Sequence, residues 1–143
     1  MSKTVAEAMS EQPRSVSSER AVREAAEVML AEDVGSVPIV DEHNTLVGII
    51  TDRDIRLNLP SQARSLSMWE VYYLLAKLTV GQIMTKSVII IGPDREARAA
   101  AQLMLEHKVG ALPVLDGDVL IGILTETDIL RAFARVPEAA GRI

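Results

Sequence analysis

The stretch Gly48–Asp54, GIITDRD, returns 74 residues later as Gly122–Asp128, GILTETD. Both copies place two β-forming residues after a glycine, then a Thr, then an Asp three positions beyond the Thr. The apolar residues predict a buried strand, and a Thr followed three residues later by an acid is typical of a helix start. The chain therefore contains the same strand-to-helix junction twice.

The repeat extends far beyond this junction. An offset of 75 aligns Met9-Ser10 with Met84-Thr85 and Pro38 with Pro113, so one unit is present twice, at about 4–58 and 79–134. Each unit predicts a short lead-in strand near Val16 or Ile91, a helix, two strands and a second helix at 51–58 or 125–134. Gly35 and Gly110 are predicted to end the first helix of each unit. The expected fold is α/β (α+β), with two β-α-β-β-α units packed sheet to sheet about a pseudo-twofold axis.

A different kind of segment joins the units. Ser67 and Glu70 have the spacing of a capping box, which predicts that a helix begins there. Three of the four aromatic residues of the chain, Trp69, Tyr72 and Tyr73, fall in this segment. A helix apolar on most sides is unfavourable on a monomer surface, so we expect it to lie between the halves or to contact a second chain. The expected organisation is 1–59, a linker at 60–78, and 79–143.

The paired Thr and Asp have two interpretations. In the first, Thr51 and Thr125 only cap helices, with Asp54 and Asp128 bonding back to the cap. In the second, the helix-start amides and the Thr hydroxyl bind a phosphate, while the Asp accepts two hydrogen bonds from the vicinal diol of a ribose. Duplication favours the second interpretation without excluding the first, because a duplicated cap has the same sequence.

Together with the VGSVPIVD and VGALPVLD strands, these motifs resemble a tandem pair of CBS domains, also called a Bateman module. The resemblance covers almost the whole chain, and the joining segment is similar to that of small standalone CBS proteins of the acetoin-utilisation type. It implies clefts that bind AMP, ADP, ATP, NAD or S-adenosylmethionine, and a disc-like homodimer. It implies that Asp54 and Asp128 bind ribose and that Thr51 and Thr125 lie near phosphate. It also implies that the base contacts two matching sets of residues: Val16, Val37, Pro38 and Ile39; Ile91, Leu112, Pro113 and Val114.

The sequence departs from the family pattern at one position. Some nucleotide-binding members have a basic residue before the second strand, where this chain has Gly35-Ser36 and Gly110-Ala111. Arg53 is the nearest alternative, and its counterpart in the second unit is Thr127. We therefore expect two unequal clefts and weak binding of a triphosphate.

Composition excludes several other classes of protein. The net charge of −5, without a Lys/Arg block, disfavours nucleic-acid binding, and the absence of cysteine excludes disulfides and thiolate zinc sites. No apolar run approaches the roughly 20 residues of a membrane span, so a cytoplasmic protein is expected. No nucleophile-base set, phosphate loop or metal-ligand spacing indicates an enzyme. The favoured function is a regulatory module that signals to a partner protein, and the alternative is a ligand-free assembly scaffold.

Overall fold

The two copies of the repeat fold into the same run of elements. The computed structural model describes residues 3–60, 66–134 and 141. The first half contains α2 (Val22–Glu32), β2 (Ser36–Val40), β3 (Leu46–Thr51) and α3 (Asp52–Leu57). The second half contains α6 (Ala97–His107), β4 (Ala111–Asp116), β5 (Val119–Thr125) and α7 (Glu126–Phe133). The predicted lead-in strands are reduced to single parallel bridges, from Val16 to Ile39 and from Ile91 to Val114.

The ends of the long helices differ from the sequence prediction. Asp33 and Lys108 have the left-handed conformation that ends α2 and α6, with φ of 53° and 54°. The prediction that Gly35 and Gly110 end these helices is therefore wrong. Both glycines come two residues later, where the chain passes the first residue of α3 or α7, and their carbonyls accept the amides of Asp52 and Glu126.

The lead-in segments of the two repeats are exchanged between the halves. Helix α1 (Val5–Ala8) comes first in the chain, yet Val5 is fully buried in the core of the second half. Helix α5 (Val80–Ile83) follows the linker, yet Val80 is fully buried in the core of the first half. Each half therefore completes its core with a segment from the other repeat.

Backbone pairing follows the same exchange. Strand β1 (Ser10–Glu11) pairs antiparallel with β5, giving the sheet order β1-β5-β4. Thr85 and Ile49 exchange both backbone hydrogen bonds, at 2.8 and 2.9 Å, beside the two-stranded sheet β2-β3. The hairpin turns also meet, since the Asn44 side-chain amide donates to the Leu120 carbonyl at 2.8 Å. These links join two small sheets, each with its own helices.

The glycines of the repeated junction lie where the exchanged segments approach the strands. A Cβ on Gly48 would come within 2.7 Å of Met84 Sδ and 3.0 Å of the Thr85 carbonyl oxygen. A Cβ on Gly122 would overlap Met9 Sδ and lie 3.0 Å from the Ser10 carbonyl oxygen. The absence of a side chain therefore permits close approach of the backbones.

This packing predicts the effect of a single methyl group. Gly122→Ala should lower the free energy of unfolding by about 1–3 kcal/mol, because the strand and the exchanged segment must move apart. Urea denaturation followed by circular dichroism measures the change. Gly92→Ala is the matched control, since a Cβ there meets nothing within 4 Å. Equal stability of the two variants would show that β1 does not pack against β5 as described.

The linker contains the predicted helix, α4 (Met68–Lys77), with Ser67 and Glu70 forming the capping box. Leu75 packs against the core of the first half, and the Tyr72 hydroxyl donates to Glu27 of α2 at 2.9 Å. This hydrogen bond raises the pKa of Tyr72. The structure thus places α4 against α2 rather than between the halves. Trp69 remains 82% exposed.

Candidate functional site

The two repeated motifs line a single cavity. Its volume is about 1040 Å³, and both halves contribute to its wall. The first motif contributes Thr51, Arg53 and Asp54, and the second contributes Thr125, Thr127 and Asp128. Local sequence places each Asp on the first turn of its helix, and the pairing of the halves brings both to the same space. A volume of this size is at the upper end for small-molecule sites.

Asp54 is half-buried and retains acceptor capacity. Its Oδ2 accepts the Thr51 amide at 2.9 Å, and its own amide donates to Thr51 Oγ1 at 3.0 Å, which completes the capping box. The Thr85 hydroxyl lies 3.1 Å from Oδ1 and 3.2 Å from Oδ2. An ionised carboxylate has about four acceptor positions, and one amide and one hydroxyl proton occupy two of them.

Asp128 has the same cap but a different second partner. Its Oδ2 accepts the Thr125 amide at 2.9 Å, and its own amide donates to Thr125 Oγ1 at 3.2 Å. Oδ1 instead pairs with Arg131 Nη1 at 3.3 Å. Asp128 is only 4% exposed, whereas the Arg131 side chain is 73% exposed. The two halves of the cavity are therefore chemically unequal.

The amides at the helix starts are largely engaged within the protein. In the first half the Thr51 and Asp54 amides bond within the capping box, and the Asp52 amide donates to the Gly35 carbonyl at 3.0 Å. In the second half the Thr125 and Asp128 amides do the same, and the Glu126 amide donates to the Gly110 carbonyl at 3.1 Å. The amides of Arg53 and Thr127, at the second position of each helix, take no part in these bonds, so the phosphate contact at the helix starts stays a prediction.

Acidic side chains outnumber basic ones around the cavity. The acidic residues that line it are Glu11, Glu32, Asp33, Asp52, Asp54, Glu126 and Asp128. The basic residues that line it are Arg14, Arg53, Lys108 and Arg131. Two of these bases are already paired with acids of the same wall, Arg14 with Glu32 at 3.7 Å and Arg131 with Asp128. The cavity therefore has an excess of negative charge.

The apolar residues predicted to contact a base are mostly core residues. Among them only Pro38 lines the cavity. The side chains of the other seven are buried: Val16, Val37, Ile39, Ile91, Leu112, Pro113 and Val114. Strands β2 and β4 are buried on both faces, so their apolar side chains pack inside the halves. The base contact assigned to these seven residues stays a prediction.

The sequence analysis did not identify two residues that contact the motif aspartates. Thr85 aligns with Ser10 in the repeat, and both residues line the cavity, so a hydroxyl at matched positions was the available signal. Arg131 follows Asp128 by three residues, the spacing of a helical ion pair, while the first half has Leu57 at the matching position.

Neither a metal-binding group of side chains nor a membrane-spanning helix is present in the described part of the chain. Within residues 3–60, 66–134 and 141, there is no group of three or more His, Asp or Glu side chains that could hold a metal ion. None of the helices described there combines the length and apolar character needed to cross a membrane.

Comparison with known proteins agrees with the duplicated architecture. A family profile described as CBS domain matches residues 5–61 and again 80–135. The CBS domain-containing protein YhcV of Bacillus subtilis is 31% identical over 126 residues, which are 88% of this chain and 82% of that protein. A homoserine O-acetyltransferase of Methanocorpusculum labreanum is 34% identical, but this chain spans only 22% of it.

Solved structures of CBS-domain proteins resemble the fold of this chain. The acetoin-utilisation-type protein AcuB from Vibrio cholerae superposes with a TM-score of 0.77 at 28% identity, covering 92% of this chain and 90% of that one. CBSX2 in complex with AMP gives 0.72 at 30% identity, covering 90% and 94%. The CBS domain pair of MJ0100, in complex with 5′-methylthioadenosine and S-adenosylmethionine, gives 0.75 at 32% identity, covering 92% and 100%.

Proposed function

The chain belongs to the CBS-domain family, of which it contains two copies, and from this premise we propose that it is a regulatory module that binds an adenosine-containing ligand. The candidate ligands are AMP, ADP, ATP, NAD and S-adenosylmethionine. The ligand occupies the cavity between the two motifs, and a partner protein responds to the occupied state. The observation that carries this proposal is the convergence of Asp54 and Asp128 on one cavity.

Each carboxylate has a role that follows from its contacts. Asp54 accepts the two hydroxyls of a ribose through the acceptor positions that Thr51 and Thr85 leave open. Thr85 orients the carboxylate from the second repeat, so the sugar contacts a group held by both repeats. Asp128 accepts ribose hydroxyls in the second motif after the Arg131 guanidinium has moved away from Oδ1.

Regulation follows from the position of the cavity between the halves. A ligand that contacts both motifs stabilises the arrangement of the halves that fits it better, by an amount equal to its difference in affinity between arrangements. The exchanged segments end at Ser10 and Thr85, and both residues line the cavity. A movement in the cavity is thereby transmitted to the core of the opposite half.

A thermal shift assay with adenosine, AMP, ATP, NAD and S-adenosylmethionine tests the proposal. A ligand at 100 times its Kd adds about 2.7 kcal/mol to the free energy of unfolding, which gives a measurable rise in melting temperature. Small molecules released from protein purified without added ligand provide an independent measurement by mass spectrometry. A ligand-free scaffold predicts neither a shift nor a released nucleoside.

We also propose that two chains pair through α4. Met68 and Trp69 are 88% and 82% exposed, and Trp69 and Tyr73 line an apolar groove of about 470 Å³ on the same helix. Exposed aromatic side chains of this kind are enriched at protein interfaces. Trp69→Ala should raise the dimer dissociation constant at least tenfold, corresponding to a loss of about 1.4 kcal/mol or more.

Analytical ultracentrifugation measures this dissociation constant. The substitution Arg98→Ala, at an exposed position of α6, is the control and should leave the constant near its wild-type value. A Trp69→Ala protein that dimerises as tightly as the wild type would exclude α4 as the interface. Catalysis forms no part of the proposal, because the relatives named as enzymes extend far beyond the region that this chain matches.

A further inference from the structure

We propose that the cavity selects adenosine derivatives whose 5′ substituent is uncharged or cationic and disfavours polyphosphates. This inference rests on the proposed function and specifies the chemical class of ligand that the site accepts. Three features of the cavity lead to it: the engaged amides at the helix starts, the acid at the first position of each helix, and the pairing of the basic residues.

The helix starts offer little to an anion. The cap, first and third amides of both α3 and α7 already donate to Asp54, Asp128, the two cap hydroxyls, Gly35 and Gly110. A phosphate bound at these amides would have to break these bonds, and breaking a capping box costs roughly 0.5–2 kcal/mol per helix. The second amide of each helix, that of Arg53 or Thr127, lies outside this set. A neutral thioether or a sulfonium group at the 5′ carbon has no need of these donors.

An acid begins each helix and lies beside the turn that a phosphate would approach. Asp52 Oδ1 lies 3.8 Å from the position that a Cβ on Gly35 would occupy. Glu126 Oε1 lies 3.3 Å from the corresponding position at Gly110. Both carboxylates line the cavity, so a phosphate at either turn would meet a like charge.

The basic residues offset only part of this charge, since seven acids and four bases line the cavity. Arg14 and Arg131 are paired with Glu32 and Asp128 of the same wall. Arg56 lies 3.8 Å from Asp52, but it is not part of the cavity wall. Arg53 and Lys108 are the other two basic residues of the wall, against seven acids. A cationic substituent is attracted by such a wall, whereas the several charges of a triphosphate are repelled.

Isothermal titration calorimetry tests this selectivity with four probes: adenosine, 5′-methylthioadenosine, S-adenosylmethionine and ATP, the last with and without Mg²⁺. Adenosine and its two sulfur derivatives should bind at least about tenfold more tightly than either form of ATP. The affinity for S-adenosylmethionine should fall as salt is raised, because screening weakens its attraction to the wall, while that for adenosine should change little.

Neutralising the two helix-start acids provides the decisive comparison. Asp52→Asn with Glu126→Gln keeps the size of both side chains and removes two negative charges from the wall. The ratio of ATP affinity to adenosine affinity should rise by about fivefold or more, with adenosine affinity nearly unchanged. Ser87→Ala is a control that changes the wall without changing its charge, and it should leave the ratio unaltered.

The outcomes separate the two proposals. ATP that binds the wild type as tightly as adenosine, or a ratio that the double variant leaves unchanged, overturns the selectivity while the binding function stands. If none of the four probes binds at millimolar concentration, the proposed function itself fails.

Discussion

Replacing Asp54 and Asp128 together by alanine will abolish the ligand-dependent rise in melting temperature. Each carboxylate lines the cavity and provides acceptors for a ribose diol, so the double variant leaves the diol without a carboxylate partner on either side of the cavity. The ligand-free protein will also lose about 0.5–2 kcal/mol of stability per helix, because each Asp closes a capping box. The measurement is therefore the difference between ligand-free and ligand-bound melting temperatures, not the absolute value.

A capping box elsewhere in the chain separates these two effects. Glu70 closes the box at the start of α4 and does not line the cavity between the motifs. Glu70→Ala should lower stability to a similar extent while the ligand-dependent shift remains. If the double Asp variant keeps its shift, the carboxylates are caps only and the ribose contact is excluded.

The single variants report on the inequality of the two sides. Asp54 has a hydroxyl partner, Thr85, whereas Asp128 is paired with Arg131. A diol displaces nothing charged at Asp54, but it must displace a guanidinium at Asp128. We expect Asp54→Ala to remove the larger share of the shift.

Val5→Asp will unfold the protein or lower its free energy of unfolding by more than about 3 kcal/mol. The Val5 side chain is fully buried among apolar residues of the second half. Burying an unpaired carboxylate is among the few substitutions that exceed the usual range of single-residue effects. Urea denaturation measures the loss if the variant remains folded.

The location of the damage tests the exchange of the lead-in segments. Hydrogen exchange should show lost protection first in β4 and β5 of the second half, although Val5 belongs to the first repeat. Ala6→Asp is the matched control, since the adjacent residue of the same short helix is exposed and its substitution should change stability little. Loss of protection confined to β2 and β3 would contradict the exchange.

The local elements of this protein are readable from its sequence. The capping boxes at Thr51, Ser67 and Thr125 form as predicted, because each depends on residues three positions apart. The helices, the strand pairs and the twofold duplication follow from apolar spacing in the same way. The helix ends predicted at Gly35 and Gly110 were wrong. Asp33 and Lys108 adopt the left-handed conformation that usually requires glycine, and the spacing of residues does not reveal this.

Only the tertiary structure decided which repeat completes which core and what surrounds each motif Asp. Val5 and Val80 occupy matching positions, so either half would accept either lead-in segment, and the sequence of a repeat cannot express that choice. The exchange brings the Thr85 hydroxyl to Asp54, whereas Arg131 contacts Asp128 from the same helix, α7. Two similar motifs therefore become unequal parts of one cavity. The sequence determined the chemical groups through short-range spacing, and long-range packing determined their partners.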